Sequence, residues 1–393
     1  MRRAALVWDD VLATYRFGPE HPLDPRRLEL TVDLIRRLEL VGDAERPIVA
    51  PRVATDAEIL LAHDPAYVEA VKRAPGADAA AADELARFGL GTEDVPIIDG
   101  MHEAGAHIVG ATLTAAEQVM SGRVARAFNV SGGLHHARRA EAAGFCIYND
   151  IAVAIRWMQR EHGSRVLYVD IDAHHGDGVQ WLFYEDPQVL TVSFHESGTY
   201  LFPGTGFVDE LGEGEGHGFS VNVPLDAHTG DASFLRCFGE LVPELARAFG
   251  PDVIVMQCGC DAHALDPLTH MRCTTGFYEQ AVRLACEVAD EHCEGRLIAT
   301  GGGGYAIHTV VPRAWTLVWS ALCDVVAPDA LPADWCQARR LESGRDSPCT
   351  LRDPPDAFPP VGRHESVRQM NERTVAAVRR KAFPLITGWD LAF

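Results

Sequence analysis

The sequence predicts an α/β protein built on a parallel sheet, and three observations carry that prediction. Short apolar runs, each the length of one strand, alternate with stretches of helical periodicity. The runs are apolar at nearly every position, as strands covered on both faces are. Most of them end in a cluster of glycines and titratable residues, the arrangement expected where the carboxyl ends of parallel strands form a site. With 393 residues the chain can build one large domain or two ordinary ones.

Taken along the chain, Thr31–Leu40 places Leu34, Ile35 and Leu38 at helical spacing. Asp64 and Pro65 supply an N-cap and a first-turn proline for a helix over Ala66–Arg73, and Gly105–Met120 reads as another. Predicted strands fall at Ala125–Val130, Val166–Val169, Val189–Phe194, Val253–Met256 and Leu297–Ala299. The acidic, glycine-rich stretch at 212–217 reads as a flexible hairpin loop. Eight of the 23 prolines fall in the last 67 residues. Residues 327–365, with Pro354-Pro355 and Pro359-Pro360, are therefore expected to wrap the surface irregularly. A last helix over Glu365–Ala382 is expected to pack back on the body. No repeat or linker divides the first 320 residues, so 1–326 is read as one domain and 327–393 as an extension packing on it.

Composition narrows the classes of function. Hydrophobic residues make up 47% and charged residues 23%, the mix of an ordinary globular protein. No apolar run approaches the roughly 18 residues of a membrane span, and the apolar stretch after Met1-Arg2-Arg3 is too short for a secretory signal. Ten cysteines without regular spacing read as reduced thiols, and the cytoplasm is the expected address. The net charge of −21 disfavours nucleic acid as a partner.

Four of the predicted strands deliver titratable groups at their carboxyl ends. Ala125–Val130 leads to Ser131-Gly-Gly-Leu and the pair His135-His136. Val166–Val169 leads to Asp170-Ile-Asp172-Ala-His174-His175-Gly-Asp177. Val253–Met256 leads to Gln257-Cys-Gly-Cys-Asp261, and Leu297–Ala299 to Thr300, Gly301–Gly304 and Tyr305. Alternate residues of an extended chain face one side, so Asp170, Asp172 and His174 can enter one cavity. A carboxylate and an imidazole two residues apart, joined by a carboxylate from another strand, make a divalent metal site with one position open. Asp261 is the best remote ligand. Asp266 competes with it but also reads as a cap before Pro267, and Asp252 lies at the wrong end of its strand. The competing reading of the whole cluster is helix capping and arginine pairing, which two aspartates, two histidines and a third aspartate within eight residues outweigh. Oxygen and nitrogen donors suit zinc, and ligand type equally admits ferrous iron or cobalt.

His135 and His136 have the intrinsic pKa for general base and acid work beside such a metal, with Asp170 and Asp177 as orienting carboxylates. A structural pair bonded to loop carbonyls is the alternative. The glycine run lacks the lysine and hydroxyl of a phosphate loop. It reads as backbone lying close to a substrate, swinging Tyr305 in to meet a developing oxyanion.

These motifs resemble, in sequence and in order, those of the zinc-dependent histone deacetylases. The matching segments are Ser131-Gly-Gly-Leu-His-His, Gly144-Phe-Cys-Ile-Tyr-Asn-Asp, Asp170-Ile-Asp-Ala-His-His-Gly-Asp-Gly, Phe202-Pro-Gly-Thr-Gly, Gln257-Cys-Gly-Cys-Asp and Gly301-Gly-Gly-Gly-Tyr. The opening Tyr15-Arg-Phe-Gly-Pro-Glu-His-Pro-Leu-Asp-Pro-Arg-Arg-Leu looks most like the bacterial acetoin-utilization deacetylases, near the class I branch. The resemblance runs from about residue 5 to 320 and implies the arginase/deacetylase fold, a central parallel sheet of about eight strands with helices on both faces. It implies zinc on Asp172, His174 and Asp261, proton transfer by His135 and His136 backed by Asp170 and Asp177, and Tyr305 on the carbonyl oxygen. It further implies an acyl-lysine channel walled by Phe145 and Phe202, with Gly144 and Leu268 beside them and Asp94 at the rim holding substrate backbone. A structural potassium ion would use Asp170, Asp172, His174, Ser193 and Phe194, and Arg27 would line an exit for acetate.

The implied activity is removal of acetyl groups from lysine side chains of proteins or peptides. The alternatives are an acetylpolyamine or other small-molecule amidohydrolase and a silent acyl-lysine binder. Three residues depart from the family pattern. Ala306 follows the tyrosine where asparagine is usual, Leu134 replaces a frequent aromatic, and His263 is expected at the mouth.

Overall fold

Eight short strands set the frame: β1 (Ala4–Val7), β2 (Ile48–Val49), β3 (Arg126–Asn129), β4 (Val166–Asp170), β5 (Val189–Glu196), β6 (Ser220–Leu225), β7 (Val253–Gln257) and β8 (Leu297–Thr300). In the computed structural model, which describes residues 3–388 except 345, 355 and 360, they form one parallel sheet in the order β2-β1-β3-β8-β7-β4-β5-β6. Every residue of β1, β3, β4, β5, β7 and β8 is buried, as a sheet with helices on both faces requires. Helices Arg26–Arg37, Val311–Leu322, Thr275–His292 and Asp231–Phe249 pack side by side in that order, and Met101–Met120 packs with Asp150–His162. Among the described residues no helix is long and apolar enough to cross a membrane. All ten cysteines are free thiols.

The five predicted strands lie where the apolar runs placed them. Pattern reading passed over β1, β2 and β6. β2 is only two residues long, and β6 carries Asn222 and Pro224, the latter tolerated because β6 is an edge strand. The first helix starts at Arg26, five residues before the predicted start, because the Asp24 carboxylate accepts from the Arg26 N–H at 2.9 Å. It stops before Glu39, whose φ is 54°. The Asp64 side chain caps Pro65–Arg73 by accepting from Ala66 N, as predicted.

Two loop expectations are corrected. The stretch at 212–217 is no hairpin: Gly214–Gly216 is a 3₁₀ turn leading into β6, which runs parallel to β5. Gly216 lies so close to the backbone of Tyr184–Asp186 that no Cβ would fit. Within the expected irregular wrap, Ala333–Ser343 is a helix, because Trp335, Cys336 and Arg339 form a buried stripe with the guanidinium stacked on the indole. Pro355 and Pro360 lie outside the described residues. The helix His364–Lys381 packs on β6 and on Asp231–Phe249, and a short further helix, Phe383–Thr387, follows it and also packs on Asp231–Phe249.

Candidate functional site

The four strands that end in titratable residues, β3, β8, β7 and β4, are consecutive neighbours at the centre of the sheet. Their last residues lie level: Asn129 pairs with Thr300, Thr300 with Gln257, and Gln257 with Asp170. Register alone therefore gathers the loops after them into one place, at the carboxyl edge where such sheets carry sites.

Asp172, His174 and Asp261 converge there, each buried, with one potential ligand atom apiece all within 4.8 Å of one another. His174 Nδ1 lies 2.8 Å from Asp261 Oδ2 and 3.2 Å from Asp172 Oδ1. Asp172 Oδ2 also accepts from Gln257 Nε2 and from the Gly303 N–H, each at 2.7 Å. Burial and the facing Asp172 carboxylate push Asp261 upward from the usual carboxylate range. Two carboxylates and an imidazole this close and this dry suit a divalent cation, which neutralises the pair and accepts all three donors. The glycine run is fitted to them: a Cβ on Gly303 would strike Asp261 and Asp172, and one on Gly302 would strike Gln257.

The histidine pair forms a chain with a carboxylate at each end. His135 Nδ1 is 2.8 Å from Asp170 Oδ2, His136 Nδ1 is 2.7 Å from Asp177 Oδ1, and the two Nε2 atoms face each other at 3.0 Å. Carboxylates fix a proton on each Nδ1, which leaves the facing Nε2 atoms to share one more. Burial disfavours charge on His135, but Asp170 and Asp172 outweigh it and lift its pKa to about 9. Burial and the charge on His135 lower His136 to about 4. Against burial, His136 and Arg138 hold Asp177 at about 2.

Tyr305 sits at the end of the glycine run, its N–H held by Asp266 Oδ2 at 2.8 Å and its ring edge-on to Phe145 and His174. Burial, with Asp261 and Asp172 nearby, keeps its phenol protonated well past the ordinary range. Gly144 and Phe145 both have positive φ, and a Cβ on Gly144 would strike His136. The Phe202 ring stands 5.1 Å from that of His136 and is 46% exposed. Asp94 accepts from the Gly144 N–H at 3.2 Å. A narrow cavity is lined by both histidines together with Arg27, Leu134, Phe145, Gly302 and Tyr305. Arg27 is buried and donates to the carbonyls of Gly302 and Gly304.

The other sequence-predicted residues lie as follows. Ser193 is level with Asp170 across β4 and β5, followed by buried Phe194, and its hydroxyl meets His195 Nδ1 at 2.9 Å. Asp266 is outside the ligand triad: its oxygens accept from the N–H groups of Leu268 and Tyr305. Half-buried Leu268 lies on the same loop as Asp261. Asp252 accepts from Arg165 N at the far edge of the sheet. His263 is not at the mouth. It is fully buried, and its Nε2 lies 2.8 Å from Asp353, which Arg313 also grips at 2.8 Å.

Pattern reading missed Gln257 as a support of Asp172, Arg138 as a partner of Asp177, and Asp353 as an anchor. Gln257 was legible as the only polar residue ending β7. The other two act across 39 and 90 residues of chain, which no local pattern encodes.

Residues 21–322 match the model of the histone deacetylase domain. The chain is 46% identical over 376 residues to the acetoin utilization protein AcuC of Bacillus subtilis (strain 168), covering 96% of each. It is 41% identical over 372 residues to the AcuC of Staphylococcus aureus (strain MSSA476), covering 94% of this chain and 95% of the other. Among solved structures it is similar to a homologue of the histone deacetylases from Aquifex aeolicus, with TM-score 0.83 and 30% identity over 94% of this chain and all of that one. A structure of such a homologue complexed with SAHA gives TM-score 0.82 and 29% identity, covering 95% of this chain and all of that one.

Proposed function

Since the chain belongs to the histone deacetylase domain family, we propose that it is a metal-dependent amidohydrolase that removes acetyl groups from lysine side chains of cytoplasmic proteins, releasing acetate. The observation that carries this reading is the meeting, at one sheet edge, of a three-donor buried triad, a carboxylate-backed histidine pair and a tyrosine.

Asp172, His174 and Asp261 are the residues that would hold zinc, ferrous iron or cobalt, which supplies Lewis acidity for the carbonyl and the attacking water. One imidazole Nε2 takes a proton from that water as its oxygen bonds to the acetyl carbon. The pair then returns a proton to the lysine nitrogen as the C–N bond breaks, and the four-residue chain ends in its starting state. Tyr305, kept protonated by its surroundings, donates to the carbonyl oxygen as charge develops there.

Phe145 and Phe202 line the approach, where a neutral acetylated side chain escapes the desolvation cost of an ammonium. Gly144 keeps the wall close to His136, Leu268 flanks the entrance, and Asp94 at the rim accepts backbone N–H groups of a peptide. Arg27 borders the cavity that takes the departing acetate. Potassium is assigned to Asp170, Asp172, His174, Ser193 and Phe194, supported by the level pairing of Asp170 with Ser193.

The test is chelation and reloading. Metal-stripped protein should release no acetate from an acetyl-lysine peptide, and one equivalent of zinc, ferrous iron or cobalt should restore release. Full turnover by metal-free protein would overturn the reading.

A further inference from the structure

We propose that Arg138 is a positioning residue for proton transfer, acting on His136 through Asp177. This rests on the reading of His136 as a proton carrier and goes beyond it by adding a group outside the pair.

The two ends of the histidine chain are built differently. At the His135 end, Asp170 Oδ2 accepts from the imidazole and from the Tyr168 hydroxyl, a neutral donor. At the His136 end, Asp177 divides its oxygens: Oδ1 meets the imidazole, and Oδ2 accepts from Arg138 Nη2 at 2.9 Å and Nε at 3.3 Å. The Asp177 side chain is wholly buried, whereas that of Arg138 is 40% exposed. The guanidinium therefore closes the only charged lid on this carboxylate that the described residues supply; the other titratable groups facing it are His136, His175 and the Cys146 thiol.

A carboxylate gripped at both oxygens cannot swing, so the ring it orients keeps its Nε2 aimed at His135. Arg138 is itself fixed: its N–H donates to the Glu141 carbonyl at 2.8 Å, and its guanidinium lies 3.3 Å from the Glu141 carboxylate. Outside it lies a surface cavity of about 320 Å³ walled also by Arg87, Arg139 and Trp181. Removing the guanidinium would open Asp177 to water through that cavity, and water holds a carboxylate far less firmly than a charged fork.

Two substitutions separate charge from packing. Arg138→Met keeps the apolar stem and loses the charge, while Arg138→Lys keeps the charge on a looser stem. On an acetyl-lysine peptide, Arg138→Met should lower kcat about tenfold and Arg138→Lys by less than about threefold, with KM and metal content unchanged in both. A second measurement needs no substrate: the His136 Nδ1–H resonance of histidine-labelled protein, assigned by its loss in His136→Ala. It should stay in place in Arg138→Lys and shift in Arg138→Met. An Arg138→Met variant with wild-type kcat, with its loss in KM, or with an unmoved resonance overturns the proposal. If the wild type turned over no acyl-lysine, the functional reading would fail and the resonance alone would decide this one.

Discussion

Tyr305 separates chemistry from folding more cleanly than any other residue of the site. Its backbone N–H is tied down by Asp266 and its ring packs on Phe145, and neither contact uses the hydroxyl. Tyr305→Phe should therefore leave fold and metal content unchanged while lowering kcat by about 10²–10³, the usual loss for one oxyanion donor. Acetate release and metal analysis on the same preparation check this, and an unchanged kcat would mean the hydroxyl does not reach the carbonyl. Residues at this scale were legible in proportion to how locally their geometry is encoded. The spacing of Asp170, Asp172 and His174 pointed to one site, but not by extended geometry. β4 ends at Asp170, and the chain then bends through Asp172–His174, with the Asp170 and Asp172 carboxylates each accepting from the N–H two residues on at 3.0 Å. His135 and Tyr305 follow apolar runs and glycines, so strand ends located them. His263 was misplaced because its sequence neighbours lead to the site, while its partners, Asp353 and Arg313, come from far along the chain.

The loop between β7 and the helix Thr275–His292 shows what the extension contributes as an element. Asp353 joins it by accepting from His263 Nε2 and the Thr275 N–H at 2.8 and 2.9 Å, with Arg313 on its other oxygen at 2.8 Å. That loop also carries Asp261 and Asp266. Against burial, His263 and Arg313 hold the Asp353 carboxyl well below the usual range. Asp353→Ala leaves Arg313 buried without its partner and should cost about 3 kcal/mol in denaturant unfolding at pH 7. Because the folded-state value lies below the unfolded one near 3.9, the contribution is complete above that pH and lost as pH falls towards the folded-state value. The gap between wild type and variant should therefore narrow below about pH 4, and a gap that widened there would contradict the assignment. Elements themselves were legible where periodicity was long or apolar runs unbroken. The helix Ala333–Ser343 was not, because its stripe is only Trp335, Cys336 and Arg339 and a proline-rich neighbourhood masks it.

At the scale of the whole molecule, the eight-stranded parallel sheet does one thing for function: it brings four strand ends level, side by side. The sequence announced the four ends but not their adjacency, since strand order is decided by long-range packing that no single run encodes. A charge of −21 attracts basic peptides and polyamines alike, so the overall field does not choose the substrate. The rim does. In the proposed reading Asp94 would accept N–H groups of a peptide backbone, which a polyamine lacks, while a minimal acetyl-lysine mimic would need only the channel. The measurement that bears most directly on the central claim is therefore kcat/KM of metal-loaded protein for an acetyl-lysine peptide and for an acetylpolyamine, repeated on Asp94→Ala. The account predicts that the peptide is the better substrate and that Asp94→Ala removes most of its advantage while sparing a minimal acetyl-lysine mimic. A higher kcat/KM for the acetylpolyamine, with Asp94→Ala harmless to the peptide, would contradict it.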